Sequence, residues 1–147
     1  MAAFLNMRLD TAKLNFFDSA KIISATSRAE RRVLSRFGAF VRQAARRSIR
    51  KRKRVSNPGD PPSSHKGQLR RFIFFFYDPS RQSVVVGPIL LGTKKRSVPL
   101  LLEEGGTVFR RTGGRRQTFK YSRRPFMGPA LAKESPKLPG LWANSVR

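Results

Sequence analysis

The chain has 147 residues and carries 32 Lys and Arg against 8 Asp and Glu, a formal charge of +24. One domain of this length buries about two-thirds of its unfolded surface, enough for one core, and the charge calls for a polyanion, an acidic partner surface or a neutralising assembly. Cysteine is absent, which excludes disulfide frameworks, thiolate zinc sites and thiol nucleophiles.

The opening MAAFLNMRLD is partly apolar but lacks the basic start, long apolar middle and small-residue cleavage site of a secretory signal. Residues 1–25 are read as an N-terminal segment ahead of a single domain over 26–133, with residues 134–147 as a C-terminal tail. The longest apolar run, Phe72 to Tyr77, falls well short of the roughly 20 residues of a membrane span, so no membrane partner is expected and the chain reads as soluble and made inside the cell.

Thr26 to Arg50 is the clearest helix. Ser27 followed by Glu30 matches a capping box, and Ala29, Val33, Phe37, Phe40, Val41 and Ala44 form an apolar stripe with most arginines off it. The next run, RKRKR over residues 50–54, repels itself and frays the helix end. Within the extended loop 51–67, the stretch VSNPGDPPSSHK holds three prolines and a glycine, which exclude both helix and ladder-forming strand.

Gln68 to Tyr77 reads as a strand, turning at Asp78-Pro79-Ser80 into a second strand, Ser83 to Gly87. Both runs are apolar on both sides, which predicts cover on two faces: one by the long helix, the other by further protein or a neighbouring subunit. Val98 to Glu104 reads as a short helix with Pro99 at its start, closed by Gly105-Gly106. Thr107 to Arg111 and Gln117 to Tyr121 form a second hairpin around Thr112-Gly113-Gly114-Arg115. Pro125 to Lys133 reads as a short helix, and Pro136 to Val146 as an irregular tail. The order gives an α+β fold: a long N-terminal amphipathic helix packed on a small antiparallel sheet, an extended Pro-rich loop and a short C-terminal helix.

The candidates for chemistry are few. His65 is the one histidine; a general base needs a partner in hydrogen-bond reach, and the loop offers only Asp60, so His65 reads as a turn or contact residue. One histidine without cysteine also argues against a transition-metal site. Glu103 and Glu104 are adjacent, hence about 100° apart on a helix, and do not face each other as an acid/base pair. They bond either this chain's arginines or a neighbour's. Neither Gly-Gly pair has the strand-before, helix-after setting of a phosphate loop. No catalytic residue, metal or cofactor is therefore expected. The basic runs, with Arg42, Arg46, Arg47, Lys94, Lys95, Arg96, Arg115 and Arg116 foremost, suit phosphates or an acidic protein surface. Base-specific reading is disfavoured, because the aromatic residues cluster in one apolar strand instead of alternating with cations.

Four ordered stretches carry a resemblance: GAFVRQAARRSIRKRKRVSNPGDPPSSHKGQLRRFIFFFYD, SVVVGP, VPLLLEEGGT and RRPFMGPAL. Together, over roughly residues 28–133, the chain resembles the phage virion morphogenesis proteins, the minor tail components and head-tail joining proteins of long-tailed phages. The resemblance implies a small α+β subunit, not an enzyme, that forms a homo-oligomeric ring, commonly a hexamer with a dodecamer also open. The ring lies at the head-tail junction of the virion, is assembled in the host cytoplasm, and serves as a tail-completion, terminator or neck layer. Its partners are the connector or portal-proximal protein, the tail-tube protein and the genomic DNA in the channel. Subunit and partner contacts are then expected from the loop (Arg50, Lys51, Arg52, Lys53, Arg54, Pro58, Pro61, Pro62, His65), the acids Glu103 and Glu104, and Arg124, Pro125 and Phe126. The competing reading is a stand-alone, ribosome-like, basic nucleic-acid-binding protein whose loop 50–66 penetrates RNA.

Overall fold

Apolar residues recur every fourth position along the first helix: Ala29, Val33, Phe37, Val41 and Ala45, all buried and continued by Ile49 just beyond it. Each four-residue step turns about 40° around a helix axis, so the five helical positions wind through roughly 160° and need cover from more than one side. The computed structural model describes residues 19–89, 98–143 and 145, and supplies that cover from the middle and the C-terminal part of the chain. Helix α1 (Ser19–Ser48) packs against a two-stranded ribbon on one side and against C-terminal helices on another.

After the loop comes a single helical turn, α2 (Gln68–Arg71), then the antiparallel ribbon β1 (Ile73–Asp78) and β2 (Ser83–Pro88), helix α3 (Val98–Glu104) and a second ribbon, β3 (Gly106–Thr112) and β4 (Arg115–Tyr121). Helix α4 (Met127–Glu134), a 3-10 turn (Ser135–Lys137) and helix α5 (Leu138–Trp142) close the chain. The fold is α+β, with two separate two-stranded sheets in place of the one small sheet expected. The core is Phe37, Val41, Ala45, Ile49, Leu69, Ile73, Phe126 and Ala130, with Leu138 and Leu141 packed against it. The expected tail thus contributes apolar cover to the domain.

Three sequence expectations need correction. The helix already runs at Ser19, and Ser27 is no cap: the Ser24 and Thr26 hydroxyls donate to the Lys21 and Ile22 carbonyls, so these residues are satisfied inside the helix. Gln68–Arg71 is a helical turn and not the start of a strand; Gly67 at φ 76° reverses the backbone, Arg71 and Phe72 donate to the Gly67 and Gln68 carbonyls, and Leu69 enters the core. The C-terminal helix starts at Met127 instead of Pro125. Among the described residues, the first ribbon is covered on one of its two faces, by α1. Its alternation puts Ile73, Phe75 and Tyr77 toward α1, while Phe74, Phe76 and Val85 point away and remain 44%, 68% and 61% exposed.

Gly38 sets how closely α1 meets that ribbon. A Cβ there would lie 2.6 Å from Val84 Cγ2 and 3.2 Å from the Phe75 ring, so the glycine trades helix propensity for a short helix–sheet distance. Gly38→Val is expected to destabilise the fold by about 1–3 kcal/mol through overpacking. Phe126→Ala, which empties a fully buried ring position, should cost about 3–5 kcal/mol. Urea unfolding of both variants, with an unchanged slope and a lowered midpoint, checks the two mechanisms.

Candidate functional site

The extended loop 51–67, expected to make subunit and partner contacts, is closed on itself at its base and tied to the domain in its middle. Arg50 forms a parallel bridge with Ser63, the Ser64 amide donates to the Arg50 carbonyl at 3.0 Å, and Arg52 Nε donates to Ser63 Oγ at 2.8 Å. In the middle, the Gly59 amide donates to the Arg123 carbonyl at 2.8 Å and Arg124 Nε to the Ser56 carbonyl at 3.1 Å. Ser56, Pro62 and Ser64 are buried, Pro61 is half-buried, and Pro58 and residues 51–55 are exposed. The cations Lys51, Lys53 and Arg54 therefore ride on a fixed segment, and removing residues 56–66 would strip hydrogen bonds from the domain itself. His65 is exposed on an open hollow of 510 Å³ whose lining, Ser63, Ser64, Lys66, Gln68, Leu69, Val98 and Leu102, brings no carboxylate to it.

Glu103 and Phe126 are inward groups, contrary to their expected place in an interface. Helix α4 begins without a capping side chain, at Phe126, and its first amides need an acceptor. The Glu103 carboxylate accepts from Phe126 N at 2.9 Å, Met127 N at 3.1 Å and Gly128 N at 2.8 Å; Pro129 has no N–H to satisfy. One carboxylate thus completes a helix N-terminus, where the peptide dipoles favour negative charge. Around it, Arg124 N donates to the Leu102 carbonyl at 2.7 Å and Arg123 Nε to the Glu103 carbonyl at 3.1 Å. Arg124 and Pro125 are half-buried in this junction, while Glu104 is exposed.

The basic residues separate into groups. Arg42 is a structural strap: Nε donates to the Ile73 carbonyl at 2.8 Å and the guanidinium lies 5.7 Å over the Phe74 ring. With Arg46, Arg47 and Arg70 it lines a shallow groove of 470 Å³ along α1; Arg70 was not singled out in the sequence because a strand was expected there. Arg115 and Arg116 are exposed on the second ribbon together with Arg110 and Arg111. Lys94, Lys95 and Arg96 lie outside the described residues. At the far end of α1, the Tyr77 hydroxyl donates to Glu30 Oε1 at 3.5 Å; desolvation first, then the Glu30 charge, holds this phenol above its ordinary pKa.

Among the described residues no group of three or more His, Cys, Asp or Glu is placed to hold a metal, and no helix is long and apolar enough to cross a membrane. No protein-family model, curated protein or solved structure matches the chain. The resemblance noted above therefore rests on the quoted motifs.

Loss of the Glu103 carboxylate leaves three amides without their acceptor, so Glu103→Ala is expected to lower stability by about 2 kcal/mol, whereas exposed Glu104→Ala should stay within about 0.5 kcal/mol. Parallel urea titrations of the two variants measure the difference.

Proposed function

We propose that this chain is a structural subunit of a phage virion, a ring-forming joining protein at the head-tail junction that serves as a tail-completion, terminator or neck layer. The observation that carries the reading is the open face of the first ribbon, where Phe74, Phe76 and Val85 stand exposed and adjacent on a sheet whose other face is packed on α1. Among the described residues no third strand pairs with either outer edge of this two-stranded sheet. Apolar faces of this kind are characteristically covered by protein, and a head-to-tail contact between unlike surfaces of identical chains closes into a ring where its rotation closes. The four ordered motifs add the phage context, and the charge adds a reason for acidic neighbours or DNA nearby.

The stand-alone nucleic-acid-binding reading draws on a different feature, the arginines of the second ribbon. Oligomeric state separates the two readings. On the joining reading the chain forms rings in light scattering, or stays monomeric until it occupies the end of purified tails or filled heads in electron micrographs. Phe76→Asp with Val85→Asp, both at exposed positions, should keep the fold and abolish that occupancy. A monomer that occupies neither particle overturns the joining reading.

A further inference from the structure

The second ribbon has a chemistry of its own. It runs from Gly106 to Tyr121 with five cations and no acid, every residue of β4 is exposed, and neither strand packs extensively against any other element among the described residues. Gly113 and Gly114 lie at φ 59° and 79°, the pair of positive values that a tight type I′ turn requires.

Register sorts the side chains. Arg111 pairs with Arg116 across the strands, on the face that also carries Phe109. The opposite face carries Arg110 and Arg115 toward the tip, with Val108, Phe119 and Tyr121 nearer the root. Two arginines therefore stand on each side of one free-standing ribbon tip. The assignment of faces is confirmed by Arg116, whose guanidinium lies 4.3 Å over the Phe109 ring. Like charges directly opposed in a sheet destabilise it, and among the described residues no carboxylate lies within ion-pair distance of these four arginines.

We propose that the tip of this ribbon is a binding element for double-stranded DNA, inserted into the major groove with arginines contacting phosphates on both walls. A major groove about 12 Å wide admits a two-stranded β-ribbon, and its two phosphate-lined sides match cations on two faces. A flat acidic protein surface meets only one face and leaves the other pair of arginines without counter-charge. Arginine suits this role because its planar fork bonds phosphate oxygens in pairs, and stacking on Phe109 restricts the Arg116 fork before it binds. The contact is with the backbone and carries no base preference. The element acts within one chain, so the proposal holds whether or not the chain forms rings.

The test is fluorescence anisotropy of the full chain with a short random-sequence duplex over about 50–200 mM salt. Each neutralised phosphate contributes about 0.9 to the slope of log affinity against log salt. Arg111→Gln/Arg116→Gln and Arg110→Gln/Arg115→Gln are each expected to reduce that slope by up to about 2, and the quadruple variant by about twice as much. The four arginine-to-lysine changes should restore most of the slope, and thermal unfolding should show all variants folded, since the side chains are exposed. A slope unchanged by the quadruple substitution overturns the proposal. So does an effect confined to one face, equal binding to single-stranded DNA, or polyglutamate that competes as well as duplex. Oligomeric state, measured on the same samples by light scattering, reports separately on the ring.

Discussion

The carboxylate of Glu103 joins two helices that are distant in sequence. It sits at the end of α3 and accepts the three amides that open α4. Between those helices the chain leaves the body of the domain, runs out and back as the second ribbon, and returns. The root of that excursion is closed by the carboxylate, by Arg124 N on the Leu102 carbonyl and by Arg123 Nε on the Glu103 carbonyl. Gly105, at φ 77°, permits the crossing: a Cβ there would lie 3.1 Å from both Arg123 N and the Tyr121 carbonyl. Once α4 is fixed, Phe126 and Ala130 reach the core against α1, and the exposed Lys137 pairs with buried Glu134 while lying 5.8 Å over the Phe40 ring. The C-terminal packing and the aim of the ribbon thus follow from one anion at one helix end.

The same junction shows how a chain of charge +24 uses cations inside its own fold. Arg42 straps α1 to the first ribbon, Arg52 ties the loop to Ser63, and Arg124 ties it to the last stretch of chain before α4. In each case the acceptor is a carbonyl or hydroxyl and not a carboxylate. Such contacts satisfy backbone oxygen without consuming the few acids, and they leave the net charge unneutralised. Exposed cations stand along α1, over residues 50–54 and on the second ribbon.

Much of this architecture was legible in the sequence, for reasons that lie in short-range chemistry. The stripe of α1, the Asp78 turn and the Gly113-Gly114 hairpin are each specified by periodicity or by residues suited to one backbone conformation. The Asp78 carboxylate accepting from Ser80 N and Arg81 N is an Asx turn of the expected kind. What could not be read were arrangements that depend on distant partners. Gln68–Arg71 looked like strand because it leads into an aromatic run, and only Gly67's positive φ and the core position of Leu69 make it helical. Glu103 gave one indirect signal: the helix after RPF has no capping residue of its own, so an acceptor had to come from elsewhere. Phe126 was expected at a contact as part of the RRPFMGPAL motif, yet its ring is fully buried. The loop's prolines correctly excluded regular structure, but they did not reveal that Pro62 is buried or that Gly59 and Ser64 are bonded to the domain.

On the proposed reading the two ribbons have opposite requirements. The first must bring like-charged copies together through apolar contact; burial yields about 25 cal/mol per Å², from which the cost of ordering and desolvation is subtracted. Repulsion between the copies acts over a Debye length of about 8–10 Å at ordinary salt, comparable to the spacing of packed elements, so it opposes closure throughout a ring. The second ribbon binds the species that removes that repulsion. Neutralising arginines on each copy lowers the work of bringing the next copy alongside, and by linkage a formed ring holds the polyanion more tightly than a single chain does. Assembly of such a protein is then conditional on its charged partner, which keeps free subunits apart until a site with DNA or an acidic ring is present.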